Sequence, residues 1–454
     1  MQKLYDEVAT LDQRCYEKFA LTPDLLMEHA AEGMAHFIRE NFAKKSSVII
    51  VCGNGNNGAD GIALSRLLHL DYGVKLLHAK MPKSEMAKQQ KQRSNAIGVE
   101  ECSTVEECDI LVDALVGTGF KGEFSSELLA LVQSMNASKA YKIACDVPSG
   151  YQFLADTTLT MGALKKEIYL DKNKEFIGEV KVLDLGVARE VYETDSNSYL
   201  LDLDDLKLPH RDKKDTHKGS FGHLACIGGE KVGASVLCAQ SALRFGSGLV
   251  TIVGGNSSNI PYSIMSSELL PDTTTALAIG MGLGETYSNR DLDAFLDNDY
   301  PLIADADILH MDRLQDLLKR KNIVITPHPK EFVSVLKISK TVDISVSQLQ
   351  KNRFKYVELF CQMYPNVTLI LKGANVIVGQ KDMFFVNPHG TSKLAKGGSG
   401  DVLSGLVGSL LAQRYEPLHA AINASLAHSQ LALNYTAADY SLTPDDLIVE
   451  ICNL

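Results

Sequence analysis

Three stretches in the first half of the chain set acidic or amide side chains beside glycine, each directly after an apolar run. They are Gly53-Asn54-Gly55-Asn56-Asn57-Gly58-Ala59-Asp60-Gly61, Asp113-Ala114-Leu115-Val116-Gly117-Thr118-Gly119-Phe120 and Asp146-Val147-Pro148-Ser149-Gly150. Glycine lets backbone N–H groups approach an anion, carboxylates move protons, and Asn, Asp and Ser oxygens suit a hard cation. The second half holds Gly397-Gly398-Ser399-Gly400-Asp401 ahead of a run rich in Ala and Leu. A glycine-rich backbone at a helix start makes an anion hole for a transferring phosphoryl group, and an aspartate there can take a proton from a substrate hydroxyl. Each stretch also has a plain reading. Asp113, Asp146 or Asp401 would cap a helix, and the first loop would be a turn. Its asparagines and its spacing are read as setting it apart from the dinucleotide-binding fingerprint.

The elements that must carry these residues alternate. Thr22-Pro23-Asp24 starts a helix with Thr22 as N-cap, and Leu26, Ala30, Met34, Phe37 and Ile38 mark one face of it. Ser47 to Val51, Val74 to His78, Ile110 to Leu115 and Lys142 to Val147 read as buried strands with helical segments between them. This is the pattern of a parallel sheet with helices on both faces, whose strand ends would gather the three loops into one site. Leu208 to Asp215 is polar, carries a proline and reads as an exposed connection between domains. Strand–helix alternation then restarts with Leu224 to Ile227, Ala234 to Phe245 and Leu249 to Val253, and the residues from Asp401 onward read as packed helices.

A chain of 454 residues calls for two or three domains. Its net charge of −11 argues against a general nucleic-acid binder. No stretch is apolar for long enough to cross a bilayer, and Met1 to Thr10 has no apolar signal core. The nine cysteines form no CxxC pair, and Cys52, Cys145 and Cys226 sit in strand-like runs as small hydrophobes. A cytoplasmic protein is expected.

At the residues quoted above, the first half resembles the NAD(P)H-hydrate epimerase family. The likeness runs to about Asp202 and takes in Ala155 to Lys165 and the hairpin-like Gly178 to Gly186. It implies that Asn56, Asn57, Gly58, Ala59, Asp60, the loop Gly117, Thr118, Gly119, Phe120, Lys121, Gly122, Glu123, and Asp146 bind hydrated NADH or NADPH, which carries a hydroxyl at C6 of the reduced ring. Asn57, Asp113 and Ser149 correspond to potassium ligands, and Asp146 is the candidate acid/base. Ala59 stands where the family usually has glycine.

The Gly397–Asp401 motif resembles the ribokinase-like superfamily. The ordered set His217 to Gly222, Gly228-Gly229, Gly233-Ala234, Ile279 to Gly284, Asp305-Ala306-Asp307, Thr326 to Glu331 and Leu371 to Ala374 is similar to NAD(P)H-hydrate dehydratase. This implies that Ala234, Gly282, His328 and catalytic Asp401 contact the hydrate. Lys372, Gly373, Ala374, Asn375, Val376 and Gly400 would contact ADP or ATP, with Mg²⁺ on the phosphates. Met281, Asn375-Val376 and His389 to Leu394 depart from the family pattern.

The expectation is therefore an α/β protein. A Rossmann-like three-layer parallel-sheet domain would span residues 1–206 and a ribokinase-like α/β domain 207–454. The resemblance implies epimerisation of the R and S hydrates, dehydration of the S form at the expense of ADP (or ATP), and self-association into a homo-oligomer. Two competing readings are a vitamin-alcohol kinase fused to a nucleotide-binding domain, and a nonenzymatic scaffold.

Overall fold

The computed structural model describes residues 1–255, 260–285, 287–288 and 290–454. It forms two compact units, Lys3–Ser196 and Asn197–Leu454 with Met1–Gln2.

The first unit runs β1 (Gln2–Tyr5), α1 (Ala9–Phe19), α2 (Pro23–Asn41), β2 (Ser47–Cys52), α3 (Asn56–Leu68), β3 (Gly73–His78), α4 (Glu85–Ile97), β4 (Glu100–Cys102), β5 (Ile110–Ala114), α5 (Ser126–Ala137), β6 (Tyr141–Cys145), β7 (Thr157–Met161), β8 (Leu164–Lys165), α6 (Lys174–Ile177), β9 (Glu179–Leu183) and α7 (Arg189–Tyr192). Its main sheet has the order β4-β3-β2-β5-β6-β7-β9, and every neighbouring pair is parallel. Side chains alternate across a strand, so a strand buried on both faces must be apolar throughout. Val48, Ile50 and Cys52 of β2 join a core with Ala30, Met34 and Ile38 of α2 and Ile62 and Leu68 of α3. Ile49 and Val51 face the other way, into a core with Val132 and Met135 of α5. Three layers follow from that alternation.

Two local readings are corrected. Gly178 to Gly186 is no hairpin: β9 pairs in parallel with β7, Thr157 opposite Glu179 through Met161 opposite Leu183. Gly53, Gly55 and Gly58 do stand at G-x-G-x-x-G spacing, so the asparagines alone set this loop apart. The close approach that such glycines permit is real. A Cβ at Gly53 would lie 1.8 Å from the Leu115 carbonyl oxygen, and one at Gly58 would lie 2.2 Å from the Gly53 oxygen. Thr22 is the residue before α2, with Pro23 in the first turn, but its side chain makes no capping bond.

The second unit contains β10 (Ser198–Leu200), β11 (His223–Ile227), α8 (Val232–Arg244), β12 (Leu249–Val253), β13 (Met265–Ser267), β14 (Ala276–Ile279), α9 (Asp293–Leu296), β15 (Leu302–Ala304), α10 (Leu314–Leu317), β16 (Ile323–Ile325), α11 (Pro329–Ile338), α12 (Val346–Lys351), α13 (Arg353–Met363), β17 (Val367–Leu371), β18 (Val376–Gln380), β19 (Met383–Asn387), α14 (Ser399–Ala412), α15 (Pro417–Asn434) and α16 (Pro444–Glu450). Its strands lie in the order β13-β12-β11-β14-β15-β16-β17-β18-β19-β10. Pairing is parallel through β17, and the β18–β19 hairpin then runs antiparallel. Residues 198–200 pair in parallel with β19, and the Leu201 N–H donates to Val386. The ten residues from Asn197 to Leu206 thus pack with this unit. The polar stretch 208–215 is mostly exposed and has no regular structure, but it lies within the second unit and is not the connection between the units, which falls at Ser196–Asn197 because the strand Ser198–Leu200 pairs with β19.

α14 lies against α8 and α15 within one core. Gly405 makes the first contact possible, since a Cβ there would lie 1.9 Å from Ser241 Oγ and 2.2 Å from the Cys238 oxygen of α8. That close approach seats the start of α14, and with it Asp401, beside the helix that carries Ala234.

Candidate active sites

In the first unit the loops after β2 and β5 and the end of β6 enclose a cavity of about 560 Å³. Asn56, Asn57, Asp60, Gly117, Thr118, Gly119, Phe120 and Asp146 line it, as expected of one sheet edge. Gly58 and Ala59 are buried behind that lining, while Lys121, Gly122 and Glu123 lie exposed beyond Phe120. Glu7, Val8, Ala9 and Asp12 complete the wall from the start of α1, and Met161 from the end of β7.

Asp113 does not cap a helix. Fully buried at the end of β5, it ties two loops together: Oδ2 accepts the Ser149 N–H at 2.8 Å, and Oδ1 accepts the Ser149 hydroxyl at 2.6 Å and the Leu115 N–H at 3.2 Å. Ser149 Oγ in turn accepts the Val116 N–H at 3.0 Å. Burial pushes the Asp113 carboxyl up to about 6, against the lowering effect of these donors. Asn57 faces the same loop, its Oδ1 3.5 Å from where a Gly117 Cβ would stand. Its Nδ2 is buried without a hydrogen-bond partner. The two ends of an amide are interchangeable by a flip, and turned over, Asn57 would offer a carbonyl oxygen at that orphaned position.

Asp146 is held by its neighbours and caps nothing. Its φ of 69° is left-handed, a conformation uncommon outside glycine. One oxygen, Oδ1, receives Lys165 Nζ at 2.6 Å, the Met161 N–H at 3.1 Å and the Thr160 hydroxyl at 3.3 Å. Lys165 is 2% exposed, and its Nζ also donates to Thr160 Oγ1 at 2.7 Å. Asp60, at the cavity wall, has no comparable clamp. Its burial, with the Asp146 and Asp12 carboxylates nearby, raises it well above the usual carboxylate range. Asp12 is raised as well, chiefly by burial, although the Tyr192 hydroxyl donates to it at 2.7 Å.

In the second unit the helix starts at Ser399, with Gly398 at φ 90° before it, so the glycine motif forms the entry and first turn of α14. Asp401 sits in that turn and makes no capping bond with its side chain. Burial and the Asp305 carboxylate push its carboxyl up to about 7, with Lys372 acting in the opposite direction. Asp305 directly follows β15 and is 2% exposed. Its Oδ1 receives Lys372 Nζ and the Ala306 N–H, each at 2.9 Å, and its Oδ2 receives the Ser404 hydroxyl at 2.8 Å. Lys372 Nζ lies 3.8 Å from Glu331 Oε2 and 3.5 Å from where a Gly400 Cβ would stand. Burial alone would lower the Lys372 amine, but the carboxylates of Asp305 and Glu331 hold it raised.

The other expected residues of this unit fall around that centre. Ala234 and Gly282 adjoin, since a Cβ on Gly282 would be 3.0 Å from that of Ala234. Gly373, Ala374, Asn375 and Val376 continue from Lys372 into β18, with Asn375 buried. His328 precedes α11 and caps it. Its Nδ1 accepts the N–H groups of Lys330 and Glu331, and Glu331 Oε2 accepts the His328 N–H at 2.7 Å.

Sequence reasoning passed over the roles of Asp12, Glu7, Lys165, Asp305 and Ser404. Asp305 and Lys165 lie in the stretches quoted for the family likeness, each at a strand end, and a strand-end acid was a usable signal. Asp12 and Glu7 carry none, because only tertiary packing brings the start of α1 to a loop more than a hundred residues on.

Comparison with known proteins covers both units. The profile of the family described as NAD(P)H-hydrate dehydratase matches residues 224–453, and that of the YjeF-related protein N-terminus matches residues 23–167. The bifunctional NAD(P)H-hydrate repair enzyme Nnr of Helicobacter pylori is 40% identical over 475 aligned positions, which cover 100% of both chains. The enzyme of the same name from Escherichia coli is 28% identical and covers 94% of this chain and 88% of its own. Among solved structures, the ADP/ATP-dependent NAD(P)H-hydrate dehydratase of Bacillus subtilis, co-crystallised with ATP/Mg²⁺, is 29% identical. It covers 54% of this chain and 92% of its own, with a TM-score of 0.47.

Proposed function

The chain belongs to the family of bifunctional NAD(P)H-hydrate repair enzymes, and on that premise we propose how its two units divide the chemistry. The unit Lys3–Ser196 carries the epimerase activity, which interconverts the R and S hydrates of NADH and NADPH. The unit from Asn197 to Leu454 carries the dehydratase activity, which consumes the S form with ADP (or ATP). The observation that carries this reading is the state of Asp146 and Asp401. Asp146 follows β6 with the buried Lys165 on its carboxylate, and Asp401 sits in the first turn of α14 beside Lys372, which is itself paired with Asp305.

In the dehydratase unit the C6 hydroxyl attacks the terminal phosphoryl group while Asp401 takes its proton. Phosphate is a far better leaving group than hydroxide. Its departure, with loss of a C5 proton, restores the ring of NAD(P)H. Backbone N–H groups of Gly397 to Gly400 face the transferring group at the start of α14, and Lys372, Gly373, Ala374, Asn375, Val376 and Gly400 hold the nucleotide. Ala234, Gly282 and His328 border the hydrate. Mg²⁺, when bound with the nucleotide, neutralises phosphate charge. Among the described residues no group of three His, Cys, Asp or Glu is placed to hold a metal ion, as suits an ion completed by phosphates. The vitamin-alcohol kinase reading gives way, because full-length relatives bear the repair name. The assay mixes the chain with NADH hydrate epimers and each nucleotide and follows NADH absorbance. ADP-driven return is expected, and accumulation of a stable phosphate ester would refute the dehydratase.

A pH dependence follows. Asp401 must be ionised to accept the proton, and its carboxyl is raised to about 7. Dehydration kcat/KM should therefore fall as the pH drops below about 7. Asp305→Asn removes the like charge beside it and releases Lys372, and both changes favour the ionised form. The rate should drop because Lys372 loses its anchor, while the limb of the profile moves to lower pH. A limb that stays in place would detach Asp305 from Asp401.

In the epimerase unit Asn57, Asp113 and Ser149 would hold potassium through oxygen ligands. The orphaned end of the Asn57 amide and the adjoining Asp113–Ser149 pair fit a hard cation. KCl is expected to raise the Tm of the chain more than equimolar NaCl does, and Asp113→Asn should erase that difference. A difference that survives would make Asp113 a structural clamp only. No helix of the described residues is long and apolar enough to cross a membrane. We place the enzyme in the cytoplasm, acting on a small molecule rather than on nucleic acid. We expect a homo-oligomer, which light scattering would show.

A further inference from the structure

The epimerase cavity has an unexpected charge for a site that takes an anionic dinucleotide. Glu7, Asp12, Asp60 and Asp146 line it, and no Lys, Arg or His does among the described residues. The nearest cation in its hydrogen-bond network, Lys165, is 2% exposed and lies behind Asp146, spending its donors on Asp146 Oδ1, Thr160 Oγ1 and backbone oxygens. Phosphates would be met by the backbone of the Gly117–Gly119 loop. The potassium site proposed above adjoins that same loop through Asn57, so its charge would add to the phosphate end, and the acidic end is left to receive the ring, where it stabilises developing positive charge.

Inversion at C6 has two chemical routes. Cleavage of C6–N1 opens the ring to an aldehyde and puts the bonding pair on nitrogen, which calls for a cationic donor there. Cleavage of C6–O lets the N1 lone pair form C6=N1 and produces a planar cation. Resting on the epimerase reading above, we propose that inversion runs through this iminium cation, with Asp60 as acid, Asp146 as base and Lys165 as the positioning residue that fixes Asp146.

The groups are suited to these parts. Three donors gather on Asp146 Oδ1, which leaves Oδ2 for the cavity. Lys165 supplies the only full charge among those donors and fixes the orientation of the carboxylate. Asp60 has no such donor, and its burial, then the nearby Asp146 and Asp12 carboxylates, favour its neutral form. In the forward direction the Asp60 carboxyl gives its proton to the C6 hydroxyl, C6–O breaks, the N1 pair closes the C6=N1 bond, and water leaves. A water molecule then adds at the opposite face. C6–O forms, the π pair returns to N1, and Asp146 takes the released proton. One proton has passed from the Asp60 side to the Asp146 side. Exchange with solvent resets it, and the reverse inversion starts from the other protonation state. No electron is gained or lost overall.

The test uses the full chain without nucleotide in H₂¹⁸O. One pure NADH hydrate epimer is supplied, the reaction is quenched early, and the product epimer is separated and weighed by mass spectrometry against an enzyme-free control. The expected result is one solvent oxygen in each inverted molecule. Inverted product that retains ¹⁶O would overturn the iminium route and leave the epimerase reading standing. No acceleration over the control would overturn both. The role of Lys165 is tested with Lys165→Met and Lys165→Arg, each checked for a folded first unit by protection of the core amides of β2 and β5 in hydrogen exchange. Lys165→Met should lower epimerisation kcat by about tenfold or more, the scale of one charge-assisted bond, with KM nearly unchanged. Lys165→Arg should recover much of the loss. Equal losses in both variants, or a loss confined to KM, would overturn the positioning role.

Discussion

Asp401→Asn should lower nucleotide-dependent return of NADH by about 10²–10⁴-fold, the usual contribution of a general base, while epimer interconversion continues at the wild-type rate. The substitution keeps the shape of the side chain and removes its capacity to accept the proton. Asp401 takes no part in capping α14, so the helix should not loosen. The residues around it are arranged independently: Lys372 is anchored by Asp305, and Asp305 by Ser404. Removing one acid from a crowded acidic site relieves repulsion, so nucleotide affinity should hold or improve. Isothermal titration with ADP separates this outcome from a binding defect. Near-normal NADH return by the variant would remove Asp401 from the chemistry. Loss of both activities would mean that the variant had lost its fold.

The parts of these sites visible in the sequence are those for which local chemistry and strand position coincide. An apolar run such as Ser47–Cys52 can lie only in a sheet covered on both faces, and whatever follows it must emerge at the carboxyl edge. That logic placed Asn57, Asp60, Asp113 and Asp146 on one rim, and the three loops meet there. The same logic failed where pairing partners are distant. Glu179–Leu183 is bounded by glycines and looks like half of a hairpin, yet it finds Thr157–Met161 in parallel because the edge of the sheet is open at β7. The reversal at β18–β19 was legible but passed over, since only Lys381-Asp382 join the two apolar runs and so short a link allows only antiparallel pairing. No local signal separates residues 197–206 from the unit before them, as their strand gains its meaning only from β19. Lys165 shows the limit most clearly. A lysine at the end of a short strand normally reaches solvent. This one is buried only because the Asp146 carboxylate and the oxygens of Thr160, Met161 and Ala163 converge on its ammonium group.

Asp146→Asn should produce the opposite defect. Epimerisation should fall by about 10²–10⁴-fold, and dehydration of the S epimer should be untouched. The amide can still accept at Oδ1 from Lys165, but it can neither take a proton nor balance the buried ammonium, so a small loss of stability is expected as well. Given an equilibrated mixture of epimers and ADP, this variant should return NADH in a rapid phase equal to the S fraction, then at the slow rate of spontaneous epimerisation. Each unit is built around its own core, and the hydrate must leave one site to reach solvent or the other. Mixing Asp146→Asn with Asp401→Asn should therefore restore full conversion of both epimers, although neither variant achieves it alone. The recovered rate should rise with the concentration of either variant until the other becomes limiting. If the mixture stayed at the level of Asp146→Asn, the hydrate would have to pass between sites of one molecule without release, and the independence of the two activities would be wrong.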